Sequence, residues 1–476
     1  MDYEAHDAVG LAALVAAGEA TPEALLEAAL ARVGRWNPAL NAVVDLREEA
    51  ARGLIAAGPP RGPLRGVPFL LKDLALEAED FPASGGSRLL EGTRFTGDSN
   101  LYARLKAAGL VTFGRTASPE GGVGPVTEAA VYGGPTRNPW ALDRTPGGSS
   151  GGAGAAVAAG IVPAAHGSDG GGSVRIPAAC CGVFGFKPTR ARLPEGPFSG
   201  EGWAGMATDG WITRSVRDAA ALMDATHGPD LGAPYHAPPL GRSFMTAVAR
   251  PPRRLRIALS AAHPLGGEVH PECRAAVEAA GRLLEGLGHH VEAAAPAVDV
   301  AAMMAAWTRI VACGTALWVR RGRAQRGGGF AGDVEPLIAS ACAYADTISG
   351  ADYLAAVEVV HAFGRDMAAF FETRDALVTP ALAEPPAKLG RFTPALWSDF
   401  LACRLGPEGV LPYSPFAPQA NASGQPAASL PLRWTAEGLP VGVQATARFG
   451  EDDALMALCA EIEAAAPWFD RRPPLP

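Results

Sequence analysis

Apolar residues recur at helical spacing from the start of the chain: Leu11, Leu14 and Val15, then Leu25, Leu26, Ala29, Leu30 and Val33. Steps of three and four place such positions on one helix face, so at least two helices are predicted over residues 7–57. Thr21-Pro22-Glu23-Ala24 supplies a capping hydroxyl and a first-turn proline for the second helix. The pattern then changes. Gly66-Val67-Pro68-Phe69-Leu70-Leu71-Lys72-Asp73-Leu74 is a short apolar run bounded by glycine and proline, which predicts a buried strand presenting Lys72 at its far end. Residues 101–108 read as a helix and 111–114 as a strand, and 115–144 as irregular, with turn chemistry at Gly133, Gly134, Pro135 and Asn138-Pro139-Trp140.

Further on, residues 210–218 lead into a helix over 219–225. A strand at 254–259, a helix at 272–286 with Ala275, Ala276, Ala279, Leu283 and Leu284 on its apolar side, and a strand at 290–294 form a βαβ-like unit. Taken alone, that unit passes for a separate domain. Residues 301–348 are helical and alanine-rich, broken by Arg326-Gly-Gly-Gly-Phe-Ala-Gly332, a loop that reads either as a substrate-proximal wall or as a surface turn. An amphipathic helix at 351–372 and a buried strand at 375–380 follow.

Composition narrows the class. The 476 residues would by length alone make about three domains, although large α/β enzymes run longer as one unit. With 48% apolar and 19% charged residues the chain has ample core material. A net charge of −8 argues against a phosphate backbone as partner. The compact basic groupings, Arg250-Pro-Pro-Arg253-Arg254 and Arg320-Arg321-Gly-Arg323, read as solvated loop or helix-end charges, so no nucleic acid is expected. Seven scattered cysteines show no metal-ligand or disulfide spacing, which fits a reduced cytoplasm. The N-terminus is acidic, and no uncharged run reaches the ~18–20 apolar residues of a membrane span. The stretch 151–165 comes nearest, but its alanines and glycines suit close packing inside a protein.

The chemistry concentrates in residues 145–189, TPGGSSGGAGAAVAAGIVPAAHGSDGGGSVRIPAACCGVFGFKPT, where two glycine-cradled serines, Ser149 and Ser173, stand 24 positions apart. Glycine on both sides of a serine frees the backbone to approach a ligand and leaves N–H groups beside the hydroxyl. An alkyl hydroxyl attacks only once its proton is removed. His166, between Ala165 and Gly167, reads as packing. A lysine serves as base when neutral, and burial lowers its pKa from about 10.4 by as much as ~3–5 units. Lys72 at a closed strand end suits that part.

This run resembles the signature of the amidase signature family of serine hydrolases: a Gly-Gly-Ser-Ser-Gly-Gly turn, then Gly-Thr-Asp-x-Gly-Gly-Ser-[Ile/Val]-Arg and Gly-x-x-Gly-[Leu/Phe]-Lys-Pro, with Ser168 in place of the usual threonine. The likeness extends to Asn138-Pro139-Trp140, to 210–218 and to 421–431 and 438–444, which resemble the family's closing strands. It runs from end to end and is weakest over about 228–415. The resemblance implies one α/β domain over 1–476, a twisted mixed β-sheet core covered by helices. The signature core would span about 66–225, and a more variable, substrate-facing region 228–415. It further implies Ser173 as nucleophile, Ser149 as proton relay, often on a cis peptide, and Lys72 as base. Gly170, Gly171, Gly172 and Ser173 would supply oxyanion N–H groups, with Ser150, Asp169 and Arg175 in support. No metal or cofactor is implied, and a homodimer is allowed.

Within the family, the triple glycine and the Cys180-Cys181 pair are most similar to the bacterial amidases that include aminohexanoate cyclic-dimer hydrolase. This implies a small linear or cyclic amide substrate and makes Cys313 a candidate pocket residue, with a buried packing cysteine as the alternative. Two rival readings remain. Gly147-Gly-Ser149-Ser-Gly151 also satisfies G-x-S-x-G, the elbow of α/β-hydrolase esterases, with Ser149 attacking. That elbow needs a downstream Asp and His, and His227, His236, His263, His270, His289, His290 and His361 offer no persuasive context. The other is a glutaminase-type subunit of a tRNA-dependent amidotransferase, although the Tyr-Asp-Gly-Val-Arg segment of that subunit is absent.

Overall fold

Five short strands in the first half of the chain already carry the site: β1 (Val43–Leu46), β2 (Pro68–Lys72), β3 (Val111–Thr116), β4 (Ala164–Asp169) and β5 (Phe184–Lys187). They are followed by β6 (Thr208–Thr213), β7 (Arg256–Leu259), β8 (His290–Ala293), β9 (Ala376–Pro380), β10 (Ala427–Trp434) and β11 (Pro440–Ala447). The structure, a computed structural model, describes residues 2–393 and 397–475. All eleven strands join one sheet in the order β1-β3-β2-β4-β6-β5-β10-β11-β9-β7-β8. The sheet is mixed: β3-β2-β4 and β9-β7-β8 run parallel, and the remaining pairings are antiparallel.

β2 and β3 are buried along their whole length, as expected of strands covered on both faces. The βαβ-like unit is the far edge of the same sheet, because β7 pairs with β9 as well as with β8. It is therefore not a separate domain.

The helices form where the sequence carries their signals. Pro22–Leu40 starts with the Thr21 hydroxyl accepting from the Ala24 N–H, buries Leu25, Leu26, Ala29, Val33, Trp36 and Leu40, and ends at Asn41 in the left-handed region. Helix Gly151–Ala158 has no polar face, and every one of its residues is buried. Its glycines permit the close approach: a Cβ on Gly152 would lie 2.3 Å from the Ala117 backbone nitrogen. Three expectations change. Residues 421–423 end a helix, Ala417–Ser423, instead of opening a strand, because Pro418 suits a first turn and Gly424 at φ +76° closes it. Residues 208–213, partly read as a lead-in to a helix, are strand β6, and Asp452–Ala465 adds a helix the sequence reading did not foresee. Val300–Arg326 is long and apolar enough to cross a membrane by length and composition, which the search for an uncharged run missed because Arg309 interrupts it. In the fold, 61% of its most apolar 18-residue window is buried in the protein.

Two apolar clusters result. One lies between the sheet and the first helices, and includes Phe69, Leu71, Phe113, Phe184 and Trp211. The other joins Val300–Arg326, Pro336–Ala345 and Gly350–Phe370 to Ile176 and Cys180. Ser173 sits where the second cluster meets the loop leaving β4.

Candidate active site

Lys72 ends β2 with its side chain wholly buried. Its Nζ donates to Ser149 Oγ at 2.6 Å and to Ser168 Oγ at 3.0 Å. Burial pulls the lysine down to about 7, against the opposing pull of the Asp169 and Asp209 carboxylates. The substitution of serine for threonine at 168 keeps the hydroxyl that Lys72 uses.

The ladder between β2 and β4 registers only Leu70 with Ala165. Beyond it, the Lys72 N–H donates to His166 Nδ1 at 3.3 Å, while His166 Nε2 lies 2.9 Å from Asp209 Oδ1. With Nδ1 accepting, Nε2 carries the proton and donates to Asp209. His166 is thus packed, as read, and also anchors the backbone of the lysine. No motif marks that second role.

The Gly148–Ser149 peptide is cis. Thr127 Oγ1 braces this turn, donating to the Gly147 carbonyl at 2.9 Å and accepting from the Gly151 N–H at 3.1 Å. Ser150 ties the turn to its neighbours: its N–H donates to the Ser173 carbonyl at 3.1 Å, and its Oγ accepts from the Ser168 N–H at 3.3 Å. Exposure rises along the row, from Lys72 at 0% through Ser149 at 2% to the half-buried Ser173. Ser173 lines a narrow cavity of about 30 Å³ together with Gly171, Trp307, Arg404 and Ser414. Among the described residues, the Ser149 and Ser173 hydroxyls make no direct hydrogen bond.

Asp169 and Arg175 form a wholly buried ion pair, in place of the surface bridge that is the ordinary alternative. Arg175 Nε donates to Asp169 Oδ2 at 3.0 Å and Nη2 to Oδ1 at 2.8 Å. Asp169 also accepts from the N–H groups of Gly172 at 2.8 Å and Val174 at 3.1 Å. Burial alone would raise its carboxyl, but the Arg175 guanidinium holds it well below the usual range. The remaining Arg175 donors reach the Ala417 carbonyl, Gln444 Oε1 and Asn421 Oδ1 at 2.8, 2.7 and 2.6 Å. Asn421 and Gln444 have no counterpart in the sequence reading, since their part appears only when the last strands close over the loop.

Of the three glycines expected to supply N–H groups, Gly172 is committed to Asp169. The N–H groups of Gly170, Gly171 and Ser173 take no acceptor among the described residues. The triple glycine has a second cause: a Cβ on Gly171 would lie 2.2 Å from Trp307 Cζ2, and one on Gly170 2.6 Å from Trp203 Cζ3. Cys313, half-buried on the Val300–Arg326 helix, does not line the cavity; Trp307 from that helix does. Loop residues 327–332 are exposed and also stand outside the cavity.

The elbow reading finds no support in the geometry. Ser149 follows an irregular segment rather than a strand, and its bonded partner is Lys72; no histidine bonds it among the described residues.

Comparison with known proteins shows the family. The Amidase family model matches residues 24–456. The chain is 38% identical to the 6-aminohexanoate-cyclic-dimer hydrolase of Paenarthrobacter ureafaciens, over 99% of this chain and 97% of that one. The solved structure of a 6-aminohexanoate cyclic dimer hydrolase complexed with substrate superposes with a TM-score of 0.94, at 36% identity and full coverage of both chains. A bacterial aryl acylamidase of the amidase signature enzymes superposes at 0.87, with 30% identity, 97% of this chain and 96% of that one. A match that spans the signature, the variable middle and the closing strands alike leaves one conclusion: this chain belongs to the amidase family.

Proposed function

We propose that this amidase, a hydrolase of carbon–nitrogen amide bonds, cleaves a small linear or cyclic amide through an acyl-enzyme on Ser173. The observation that carries the reading is the buried Lys72 Nζ at 2.6 Å from Ser149 Oγ, with Ser173 beyond it at the cavity wall. Neutral Lys72 takes the Ser149 proton, Ser149 takes that of Ser173, and Ser173 Oγ attacks the carbonyl carbon. The tetrahedral oxyanion meets the N–H groups of Gly170, Gly171 and Ser173, each worth about 2.7–4 kcal/mol in such a site. Ser149 then returns its proton to the leaving nitrogen as the C–N bond breaks, and water releases the acid by the same relay. Asp169 and Arg175 hold the loop, and Ser150 holds the turn.

The substrate class draws support from the relatives, one a hydrolase of a cyclic aminohexanoate dimer and one an aryl acylamidase. A screen of linear, cyclic and aryl amides against peptides checks it, and turnover of peptides alone overturns it. The single-domain span 1–476 and a homodimer belong to the same reading, and light scattering against the chain mass of 48.8 kDa tests the latter. So does a reducing, cytoplasmic setting, in which the seven cysteines stay free.

Intact-mass spectrometry after fluorophosphonate treatment tests the nucleophile. Wild type gains one adduct on Ser173 and Ser173→Ala gains none; an adduct on Ser149 in Ser173→Ala returns the elbow reading.

The base has its own signature. Lys72 accepts a proton only when neutral, so kcat for a neutral anilide rises with pH through about 7 and levels off above it. A stopped assay from pH 5.5 to 9 reads the midpoint. A kcat independent of pH across that window removes Lys72 from the role.

A further inference from the structure

Arg404 is a buried cation that the reaction scheme leaves unused. It stands in the short helix Phe400–Leu405 and is 5% exposed. Its guanidinium lies 4.0 Å from the centre of the Trp307 ring, and its Nε has a single acceptor, Thr308 Oγ1 at 3.4 Å. Nη2 is buried with no acceptor, and no carboxylate pairs with this arginine among the described residues. The other wholly or nearly buried arginines have more partners: Arg175 and Arg192 hold Asp169 and Asp452, and Arg115 donates to the Lys72, Ala75, Leu76 and Phe81 carbonyls. Arg214 reaches the Ala158, Phe469 and Arg471 carbonyls with its two terminal nitrogens, and only its Nε is left without an acceptor. An unpaired buried guanidinium is costly to keep, so a site that retains one is built for an anion that arrives later.

The place is telling. Arg404 lines the same cavity as Ser173, and so does Ser414, whose hydroxyl is also buried without a partner. A guanidinium fork presents paired N–H groups that match a carboxylate, and the Trp307 face orients the fork without neutralising it.

We propose that Arg404, with Ser414 beside it, binds a carboxylate carried by the substrate, so that the preferred substrates are anionic amides. This rests on Ser173 as the nucleophile facing the same cavity. The carboxylate sits on the acyl part, as in a half-amide of a short dicarboxylic acid, or on the amine part, as in an N-acylated ω-amino acid. The recognition chemistry is the same for both, and substrates carrying each tell them apart.

Two matched pairs make the test: succinanilate against butyranilide for the acyl side, and 4-acetamidobutanoate against N-butylacetamide for the amine side. In the wild type the charged member of one pair has a kcat/KM about 10- to 100-fold above its neutral partner, the range expected of a charge-assisted bond. In Arg404→Met that ratio falls to near 1, with the loss in KM, and Arg404→Lys keeps part of it. A general loss of structure lowers both members and leaves the ratio in place. Glutarate binding, followed by tryptophan fluorescence in Ser173→Ala, reads the site without hydrolysis, and it disappears in Ser173→Ala/Arg404→Met. A charge preference of 1 in the wild type, or glutarate binding indifferent to Arg404, overturns the proposal while fluorophosphonate labelling of Ser173 stands. Absence of labelling with glutarate still bound through Arg404 overturns the nucleophile and leaves the anion site.

Discussion

Ser173→Ala, Ser149→Ala and Lys72→Met each lower kcat for amide hydrolysis by about 10⁴-fold or more, and the double variant Ser173→Ala/Lys72→Met falls no further than the worse of its two single changes. Groups that pass one proton along a single route act as a unit, so their losses do not add. The geometry supports this: the lysine contacts Ser149 at 2.6 Å, and the Ser149–Ser150 turn is tied to the Ser173 carbonyl at 3.1 Å. Lys72→Arg does not restore activity, because a guanidinium stays charged throughout the assay range and accepts no proton. Single-turnover measurements on the three variants and the double variant decide it. Losses that multiply in the double variant would mean that lysine and serine act in separate steps.

The largest effect on stability comes from Arg175→Met. Removing the guanidinium leaves the Asp169 carboxylate wholly buried beside four backbone and amide donors but with no cation bonded to it, a loss of about 3–5 kcal/mol. Urea unfolding at pH 7 reads it, and the companion Asp169→Leu/Arg175→Met, which removes both charges, recovers part of the loss. The pH dependence carries a sign as well. The folded carboxyl lies below its unfolded value of about 3.9, so its stabilisation is present above that pH and is lost as the pH falls below it. Arg175→Met loses this part of the acid sensitivity. An unfolding midpoint unchanged at pH 7 would show the pair to be dispensable for the fold.

The features legible in the sequence were those with short-range causes. β2 is announced by its unbroken apolar run, and the serine loops by their glycines, so the sequence alone singles out Lys72, Ser149 and Ser173 as candidates. Helix Gly151–Ala158 and strand β4 were harder to see. The helix is buried all round and has no amphipathic period, and β4 reads Ala-Ala-His-Gly-Ser-Asp, polar residues that are buried because they serve the site. Cys313 is hard to place for the opposite reason: a helix of 27 residues presents every direction, and local sequence does not say which faces Ser173. Arg404 had no signal at all. It is one arginine in Leu-Ala-Cys-Arg-Leu-Gly, and only the tertiary fold shows that no described carboxylate balances its charge.

The braces of Arg175 have a bearing on how the chain is made. Lys72, Ser149 and Ser173 have all left the ribosome long before Ala417, Asn421 and Gln444, which receive the donors of Arg175 and, through Asn421, hold the Asp169 carboxylate and the Met206 carbonyl. Strand β5, next to the nucleophile loop, likewise waits for β10 to complete its pairing. During synthesis the Ser173 loop therefore lacks these braces until Gln444 has emerged. A product terminated before Ala417 keeps the bonds of the Ser173 loop to Ser150 and Asp169 but lacks the bracing that Ala417, Asn421 and Gln444 give Arg175.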